Sequence, residues 1–303
     1  MLSKCDSLPR APLVSVIIAT RNEEKNIERL IQSVRAQTYS NIEVIVIDND
    51  SSDQTCLIAD RLGVRTERFP LSSRDRQPKN FRGAQVNLGV SLTTGEYIFF
   101  PDADMTFDKD LINDAVALLE TFDALYVPEV VVGHGLFGRV RNFERSFYVG
   151  TVIDAVRFCR RLFFYSIGGF DEQNICFGAD DWDLTRMLKK REARVSTTSK
   201  VLFHHEEHLR LSTYLDKKRQ YSATFDAYID KWGREDPEIK QQFGFFYRFI
   251  WVFVENGKWR KVFDNVGLFM CLIAVRALVG VQFLRGKAKA GLSSIAISSA
   301  FNL

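Results

Sequence analysis

The chain has 303 residues, of which 46% are apolar and 26% charged, a composition typical of proteins that bury a substantial core. Its net charge of +3 is too small to indicate a nucleic acid partner. The five cysteines are scattered and odd in number, which favours a reducing compartment over a disulfide frame or zinc cluster. The first dozen residues lack an apolar stretch, so we expect no secretory signal peptide and a cytoplasmic location.

Short apolar, β-branched runs alternate with helical patterns in the N-terminal half. The predicted strands cover residues 13–19, 42–47, 64–69, 97–100 and 124–132. The predicted helices cover residues 27–34, 81–92 and 111–119. This alternation predicts an α/β fold: a Rossmann-like, mostly parallel sheet with helices on both faces. Ligands of such sheets bind beyond the carboxyl ends of the strands.

Asp102 and Asp104 directly follow the predicted strand at residues 97–100. Two carboxylates in a D-x-D arrangement can bind a hard divalent cation, which in turn bridges two phosphates. The cation would then neutralise a leaving nucleoside diphosphate. For this pair taken alone, the alternative is a solvated acidic turn before the next helix.

Asp48 and Asn49 end the second strand, which we expect to lie beside the first, so that they face the same cleft as Thr20 and Asn22. A carboxylate or amide there can bind a nucleobase edge or a ribose hydroxyl, whereas the alternative is an Asx turn. Arg82, at the start of the next helix, can hold a phosphate or the base, or it can be an ordinary surface arginine.

Asp180, Asp181 and Asp183 flank Trp182. Adjacent carboxylates repel, so one of them can keep a raised pKa, which suits a general base. The alternative is an acidic first turn of the helix that follows, where the helix dipole favours aspartate.

His204, His205 and His208 form a cluster near Glu206. Without H-E-x-x-H spacing, a self-contained zinc site is not expected. One imidazole can complete a cation shell begun by Asp104, and a structural histidine is the competing interpretation.

Nine stretches occur in a characteristic order between about residues 13 and 190. They are VSVIIATRNEE (14–24), AQTY (36–39), EVIVIDN (43–49), SSDQT (51–55), NLG (87–89), TGEY (94–97), DAD (102–104), GGFDE (168–172) and DDWDL (180–184). In this order they resemble the family-two glycosyltransferases with the GT-A fold.

The resemblance implies an inverting, metal-dependent enzyme of the hexosyltransferase type. Its donor would be a UDP-, GDP- or dTDP-sugar, and its cofactor Mn²⁺ or Mg²⁺. The residues that match the nucleotide pocket are Ala19, Thr20, Asn22, Asp48 and Asn49.

The resemblance also implies the catalytic residues. Asp104 matches the metal-binding aspartate, and Asp102 helps to hold ribose or metal. Asp181 matches the catalytic base, with Asp180 and Trp182 on the acceptor side. His204, followed by Glu206, matches a histidine-x-glutamate pair that reaches the metal in some members.

Three positions depart from the family pattern. Asn49 stands where a second aspartate is common, which puts recognition of uracil in question. Asp180 replaces the usual glutamate before the base. Val86 precedes Asn87 where arginine is frequent, so Arg82 would have to supply the positive charge to the donor.

The C-terminal part is aromatic and basic. Residues 266–284 are apolar except for Arg276 and Gln282, close to the roughly 20 residues of a spanning helix. Arg276 in the middle would cost about 2.5–3.5 kcal/mol on insertion. We therefore expect residues 262–285 to lie in the membrane interface; packing on the catalytic domain is the alternative, and spanning ranks third. An arginine-rich helix over residues 143–161 would lie near the acceptor or the membrane, or be an ordinary charged helix face.

These observations predict a GT-A catalytic domain over residues 1–210, with a donor half at 13–132 and an acceptor half at 133–210, followed by a helical region at 211–303. The predicted function is sugar transfer to a glycan or lipid-linked acceptor hydroxyl, in cell-surface polysaccharide or lipid-linked glycan synthesis at the cytoplasmic face of the membrane. The alternatives are a nucleotide-sugar-binding protein without catalysis and a nucleotidyltransferase, although residues 20–24 lack the glycine-rich loop expected of the latter.

Overall fold

The computed structural model describes residues 11–69, 81–175 and 177–300, with main chain only at 222, 223 and 287–300. The predictions for the N-terminal segment before residue 11, and for Cys5 and Cys176, lie outside these residues. The cysteines at positions 56, 159 and 271 are free thiols.

The described residues contain ten strands in two sheets. In chain order they are β1 Val14–Thr20, β2 Ile42–Asp48, β3 Arg65–Arg68, β4 Tyr97–Phe99, β5 Met105–Phe107, β6 Ala124–Tyr126, β7 Glu129–Val132, β8 Val156–Arg160, β9 Val195–Thr197 and β10 Leu202–His205. The large sheet has the order β3-β2-β1-β4-β8-β6-β9. Only β8 runs antiparallel to its neighbours in this sheet, so the prediction of a mostly parallel sheet is confirmed.

The helices cover both faces of the large sheet. In chain order they are α1 Ile27–Arg35, α2 Thr55–Arg61, α3 Phe81–Leu92, α4 Leu111–Leu119, α5 Gly135–Arg145, α6 Arg161–Ser166, α7 Asp180–Lys190, α8 Leu211–Trp232, α9 Pro237–Phe243, α10 Val252–Val254, α11 Trp259–Asp264 and α12 Val266–Ala300. α1, α2 and α4 bury apolar side chains on one face, and α3, α6 and α7 do so on the other.

The carboxyl ends of three strands meet at one edge of the sheet. β1 and β2 run parallel in a register that pairs Thr20 with Asp48. β4 lies on the other side of β1, and the chain beyond it returns to β1 through a bridge between Ala19 and Asp102. Because parallel strands end at the same edge, the polar residues after each strand are brought together.

Two of the sequence motifs meet where α3 packs on the sheet. A Cβ added to Gly89 would lie 2.3 Å from the side chain of Ile17, so only glycine permits this close approach of helix and strand. Asn87 exchanges two 2.9 Å hydrogen bonds with the backbone of Phe170, just after the positive-φ turn at Gly169. The NLG motif thereby fixes the turn that leads to α7.

The single strand predicted at residues 124–132 is wrong. β6 ends at Tyr126 and belongs to the large sheet, whereas β7 begins at Glu129 and belongs to a three-stranded sheet of order β5-β10-β7. Pro128 between them has no N–H to donate to a ladder, so the chain changes sheets there. The small sheet brings the residues around Asp104, Glu129 and His204 side by side.

The arginine-rich helix predicted at residues 143–161 is also wrong. α5 ends at Arg145, a series of turns follows, and β8 occupies residues 156–160 in the middle of the large sheet. The run from Val156 to Cys159 is buried, and this β-branched and aromatic run favours a central strand.

The C-terminal helices pack against the catalytic core through one face of α12. Leu272 and Val275 are buried in an apolar cluster with residues of α5 and α8. Arg276 pairs with Glu144 of α5 at 3.2 Å, and its Nη2 donates to the Tyr148 hydroxyl at 2.8 Å. Because these partners compensate the buried charge of Arg276, the presence of an arginine in this apolar helix does not require a membrane to explain it.

Candidate active site

Asp102 and Asp181 come from separate segments and share one guanidinium. Arg82, near the start of α3, donates from Nε to Asp102 Oδ1 at 2.6 Å and from Nη1 to Asp181 Oδ1 at 2.9 Å. Its Nη1 also lies 3.5 Å from Asp180 Oδ2. The structure therefore brings together Arg82, Asp102, Asp180 and Asp181, all of which were candidates from the sequence.

A second arginine lies between the same carboxylates. Arg157 on β8 places Nη1 3.2 Å from Asp102 Oδ2 and 3.4 Å from Asp181 Oδ2. Two cations thus bridge two carboxylates that would otherwise repel each other.

These ion pairs control the charge of the cluster. Burial raises the pKa of Asp102, but Arg157 and Arg82 together lower it well below its usual range. Burial would lower the pKa of Arg82, but the three neighbouring aspartates raise it instead. Asp102 and Arg82 are therefore both charged at neutral pH.

The second part of the site is built on the small sheet. His204 Nε2 lies 3.0 Å from Asp104 Oδ2, and its Nδ1 lies 2.7 Å from Glu129 Oε1. Arg145 in turn donates to Glu129. Burial lowers the pKa of His204, but Glu129 and Asp104 outweigh it and raise the pKa to about 10.

The side chain of His205 points away from Asp104. Its Nε2 lies 2.9 Å from Thr106 Oγ1, and its Nδ1 lies 2.9 Å from Glu207 Oε1. Successive side chains of a strand face opposite sides, so only one of the two histidines can reach Asp104. Of the two, His204 is the one beside the D-x-D motif.

Asp104 and His204 can each supply one ligand atom to a divalent cation, provided that His204 first loses the proton on Nε2, the nitrogen that faces Asp104. A carboxylate oxygen and an imidazole nitrogen are suitable donors for Mn²⁺, and Glu129 holds the imidazole from behind. Within the described ranges, no group of three or more His, Cys, Asp or Glu side chains is gathered closely enough to hold a metal. An ion at this pair would need further ligands from substrate or water.

The residues assigned to the nucleotide pocket lie together at the ends of β1 and β2. Asp48 is buried, and its carboxylate accepts hydrogen bonds from Thr20 Oγ1 at 3.1 Å and Ser51 N at 2.9 Å. Asn49 is nearly buried and donates its N–H to the Thr20 carbonyl. Asn22 is exposed, has a φ of 58°, and accepts from Ser52 N. Asp48 therefore acts within an Asx-type turn that shapes this edge.

On the acceptor side, Trp182 differs from the expectation. Its indole N–H donates to the Ile153 carbonyl at 2.8 Å, and its ring stacks on Phe225 at 5.8 Å. The large apolar indole is directed into the packing between α7 and the C-terminal helices, which argues against a contact with the acceptor. Asp180, in contrast, is directed toward Arg82.

Sequence reasoning missed Arg157, Glu129 and Arg145. Arg157 lies inside the buried strand β8, and Glu129 is a buried residue at the start of β7. A charged residue at such a position needs a partner, and this was the available signal. Their partners became evident only from the pairing of strands.

A family model described as glycosyl transferase family 2 matches residues 15–181, more than half of the chain. The matched range includes every segment of the cluster around Asp102 and Asp181.

Two relatives carry the name beta-monoglucosyldiacylglycerol synthase. The protein from Trichormus variabilis is 29% identical over 262 residues, which cover 77% of this chain and 53% of the relative. The protein from Synechocystis is 24% identical over 251 residues, covering 73% and 50%. The chain therefore spans about half the length of these relatives.

Two solved structures have a similar fold. Mannosyltransferase PcManGT from Pyrobaculum calidifontis, in complex with GDP-Man and Mn²⁺, has a TM-score of 0.59 at 19% identity and covers 94% of this chain and 88% of its own. S. aureus TarS has a TM-score of 0.51 at 20% identity, covering 91% and 53%. At these identities the likeness concerns the fold, and it confirms the GT-A architecture predicted from the sequence.

Proposed function

We propose, because the chain belongs to glycosyl transferase family 2, that it transfers a sugar from a nucleotide-diphospho-sugar to an acceptor hydroxyl with inversion at the anomeric carbon. The observation that carries the proposal is the ion-pair cluster in which Arg82 contacts both Asp102 and Asp181. This cluster links the D-x-D segment, on the donor side, to Asp181, whose carboxylate can act on an acceptor. Within this proposal, residues 13–132 form the donor half, 133–210 the acceptor half, and 211–303 a separate helical region.

Asp181 is the proposed base. Its Oδ1 accepts a 2.9 Å hydrogen bond from Arg82, while its Oδ2 has no partner among the described residues other than the 3.4 Å ion pair with Arg157. Oδ2 is therefore the oxygen that is available to take the acceptor's proton. The acceptor oxygen then bonds to the anomeric carbon as the bond from that carbon to the phosphate oxygen breaks, and a nucleoside diphosphate leaves.

Asp104 and His204 are the proposed protein ligands of a divalent cation, with Asp102 beside them. When bound, Mn²⁺ or Mg²⁺ would neutralise charge that develops on the leaving diphosphate. The chain's own contribution is to hold the two ligands 3.0 Å apart and to fix the imidazole through Glu129. The bound diphosphate would supply ligands that the described residues do not.

The nucleotide would bind at the ends of β1 and β2, beside Ala19, Thr20, Asn22 and Asn49. Asp48 would support this pocket from beneath, since its oxygens accept hydrogen bonds from Thr20 and Ser51. UDP-, GDP- and dTDP-sugars all remain candidates for the donor.

A thermal-shift screen of UDP-glucose, UDP-GlcNAc, GDP-mannose and dTDP-glucose, with and without Mn²⁺, tests this proposal. A donor present at 100 times its dissociation constant stabilises by about 2.7 kcal/mol, which raises the melting temperature of a chain of this length by about 4 °C. We expect one nucleotide class to give this rise with Mn²⁺, and Asp104→Asn to lose it.

The matched control is Asp60→Asn, an exposed carboxylate on α2, which should respond like the wild type. A melting temperature that no nucleotide-sugar changes, with or without Mn²⁺, would contradict the proposal.

The proposed acceptor is a lipid-linked or glycan substrate at a membrane surface. Val266, Met270, Val281 and Leu284 are exposed and recur on one side of α12, opposite the buried face that packs on the core. The stretch Val266–Gly286 is long and apolar enough to cross a membrane by length and composition, and 17% of it is buried. Two relatives have names that denote a glycolipid product, which supports a lipid acceptor.

The basic residues of the C-terminal region contribute less to the proposed membrane binding than the sequence suggests. Lys258 donates to the Phe147 carbonyl at 2.7 Å, and Lys261 donates to the Ser146 carbonyl at 2.8 Å. Both lysines therefore anchor the region to the chain that follows α5. Arg260 and Arg285 are exposed and can contact anionic lipid, so the proposed attachment combines the apolar side of α12 with these two arginines.

A further inference from the structure

Arg157 is a buried cation whose hydrogen-bonding capacity is not filled. Its side chain is 8% exposed, compared with 28% for Asp102 and 24% for Asp181, so the guanidinium lies beneath both carboxylates. Its Nη1 is within ion-pair distance of both, but makes no hydrogen bond to any group in the described part of the chain. The strand that carries it lies between β4 and β6, so its position is fixed by pairing on both sides.

An N–H of a buried arginine without an acceptor is costly. A buried charged donor without an acceptor loses its hydration and gains nothing in return, and most buried polar groups in proteins are satisfied. Two charged carboxylates already balance the charge of Arg157, so another ion-pair partner is not needed. What Nη1 lacks is a well-aligned acceptor oxygen.

The position of Arg157 indicates which part of the donor it would contact. In a single displacement the acceptor attacks from the side opposite the leaving diphosphate, so the transferred sugar lies between base and diphosphate. On the roles proposed above, Asp181 marks the base and Asp104 with His204 marks the diphosphate end. Arg157 forms ion pairs with Asp181 and Asp102, between the proposed base and the D-x-D segment, and the transferred sugar would lie in this same interval.

We propose that Arg157 binds the transferred sugar of the donor, donating a hydrogen bond from Nη1 to one of its oxygens. This proposal depends on the proposed glycosyl transfer, because it uses the roles of Asp181 and Asp104. It makes Arg157 a determinant of which sugar the site accepts, independent of the nucleotide.

The test compares two ligands on one variant. Isothermal titration with Mn²⁺ measures the dissociation constant of the nucleotide-sugar that stabilises the wild type, and that of the matching nucleoside diphosphate. Arg157→Gln should weaken the nucleotide-sugar by about 10-fold to 100-fold, as expected for a hydrogen bond from a charged donor. Binding of the nucleoside diphosphate should stay within about twofold, since it lacks the sugar.

Arg160→Gln is the matched control, because Arg160 lies on the same strand but donates to the Phe122 carbonyl at 3.1 Å, away from the cleft. It should bind both ligands like the wild type. Should Arg157→Gln fail to fold, Arg157→Lys keeps the charge between the carboxylates while losing the planar fork, and the same selective loss is expected.

Three outcomes overturn the inference. Equal losses for both ligands would place the contact on the diphosphate or make Arg157 a support for Asp102. Unchanged binding of both ligands would leave Arg157 with a role only in balancing charge. A nucleotide-sugar that binds the variant more tightly than the wild type would mean that the guanidinium opposes the sugar. If the wild type binds no nucleotide-sugar, the proposed function fails first, and that result is distinct from all three.

Discussion

At the scale of single residues, charged side chains in buried strands complete the candidate site. The sequence pointed to Asp102, Asp104, Asp181 and His204 because they follow strands or match a family motif. Arg157 and Glu129 have no such motif, and their partners lie far away in sequence. Long-range pairing of this kind is set by the topology of the sheets and not by local propensity.

Variants of Glu129 and His205 test whether His204 binds the metal or has a purely structural role. Glu129→Gln should weaken Mn²⁺ binding about 10-fold or more in the presence of nucleoside diphosphate, because the carboxylate no longer fixes the ring of His204. Electron paramagnetic resonance of free Mn²⁺ measures this affinity without any turnover.

His205→Gln is the control for this prediction, because His205 contacts Thr106 and Glu207 on the opposite side of β10. Its Mn²⁺ affinity should match the wild type. Equal affinity of Glu129→Gln and wild type, with unchanged melting temperatures, would remove His204 from the metal site.

At the scale of elements, apolar periodicity predicted the sheet and its first helices well. β1, β2, α3 and α4 lie within one or two residues of their predicted bounds, because buried strands and amphipathic helices have strong local signatures. The failures are at Pro128, where the chain changes sheets, and at β8, where arginines concealed a buried strand. Both depend on which strands pair, which local periodicity does not contain.

The two faces of α12 explain why its sequence was ambiguous. Arg276 lies on the face of α12 that packs on the core, where it contacts Glu144 and Tyr148. The prediction that this helix packs on the domain concerns that face, and the prediction that it meets a membrane concerns the opposite face. We propose that the exposed side of α12 contacts the membrane.

Substituting that exposed side should reduce binding to lipid. Burial of one large aliphatic side chain contributes about 1.5–3 kcal/mol, so Met270→Ser with Leu284→Ser should lower vesicle binding by at least about tenfold. Co-sedimentation with phosphatidylcholine vesicles, with and without phosphatidylglycerol, measures it.

Leu162→Ser is the control for this experiment, since Leu162 on α6 is 81% exposed but lies outside the C-terminal region. It should bind vesicles like the wild type. A wild-type protein that stays in the supernatant with both vesicle compositions would refute the membrane contact.

At the scale of the whole molecule, the site exists only because distant segments meet at one edge. The D-x-D segment follows β4, Arg82 lies at the start of α3, and Asp181 lies in the first turn of α7. The turn that leads to α7 is held by Asn87, so the helix that carries Arg82 also positions the segment that carries the base. Order along the sequence predicted that these motifs belong together, but the arginine bridges between them required the folded chain.

In the proposed mechanism Asp181 takes the acceptor's proton, whereas donor binding depends on other residues of the site. The most direct measurement is the release of nucleoside diphosphate by Asp181→Asn, alongside its affinity for the nucleotide-sugar with Mn²⁺. Loss of a general base costs about 10²- to 10⁴-fold in rate, so we expect transfer to fall by that factor while donor affinity stays within about threefold. An Asp181→Asn protein that transfers sugar at the wild-type rate would contradict the account.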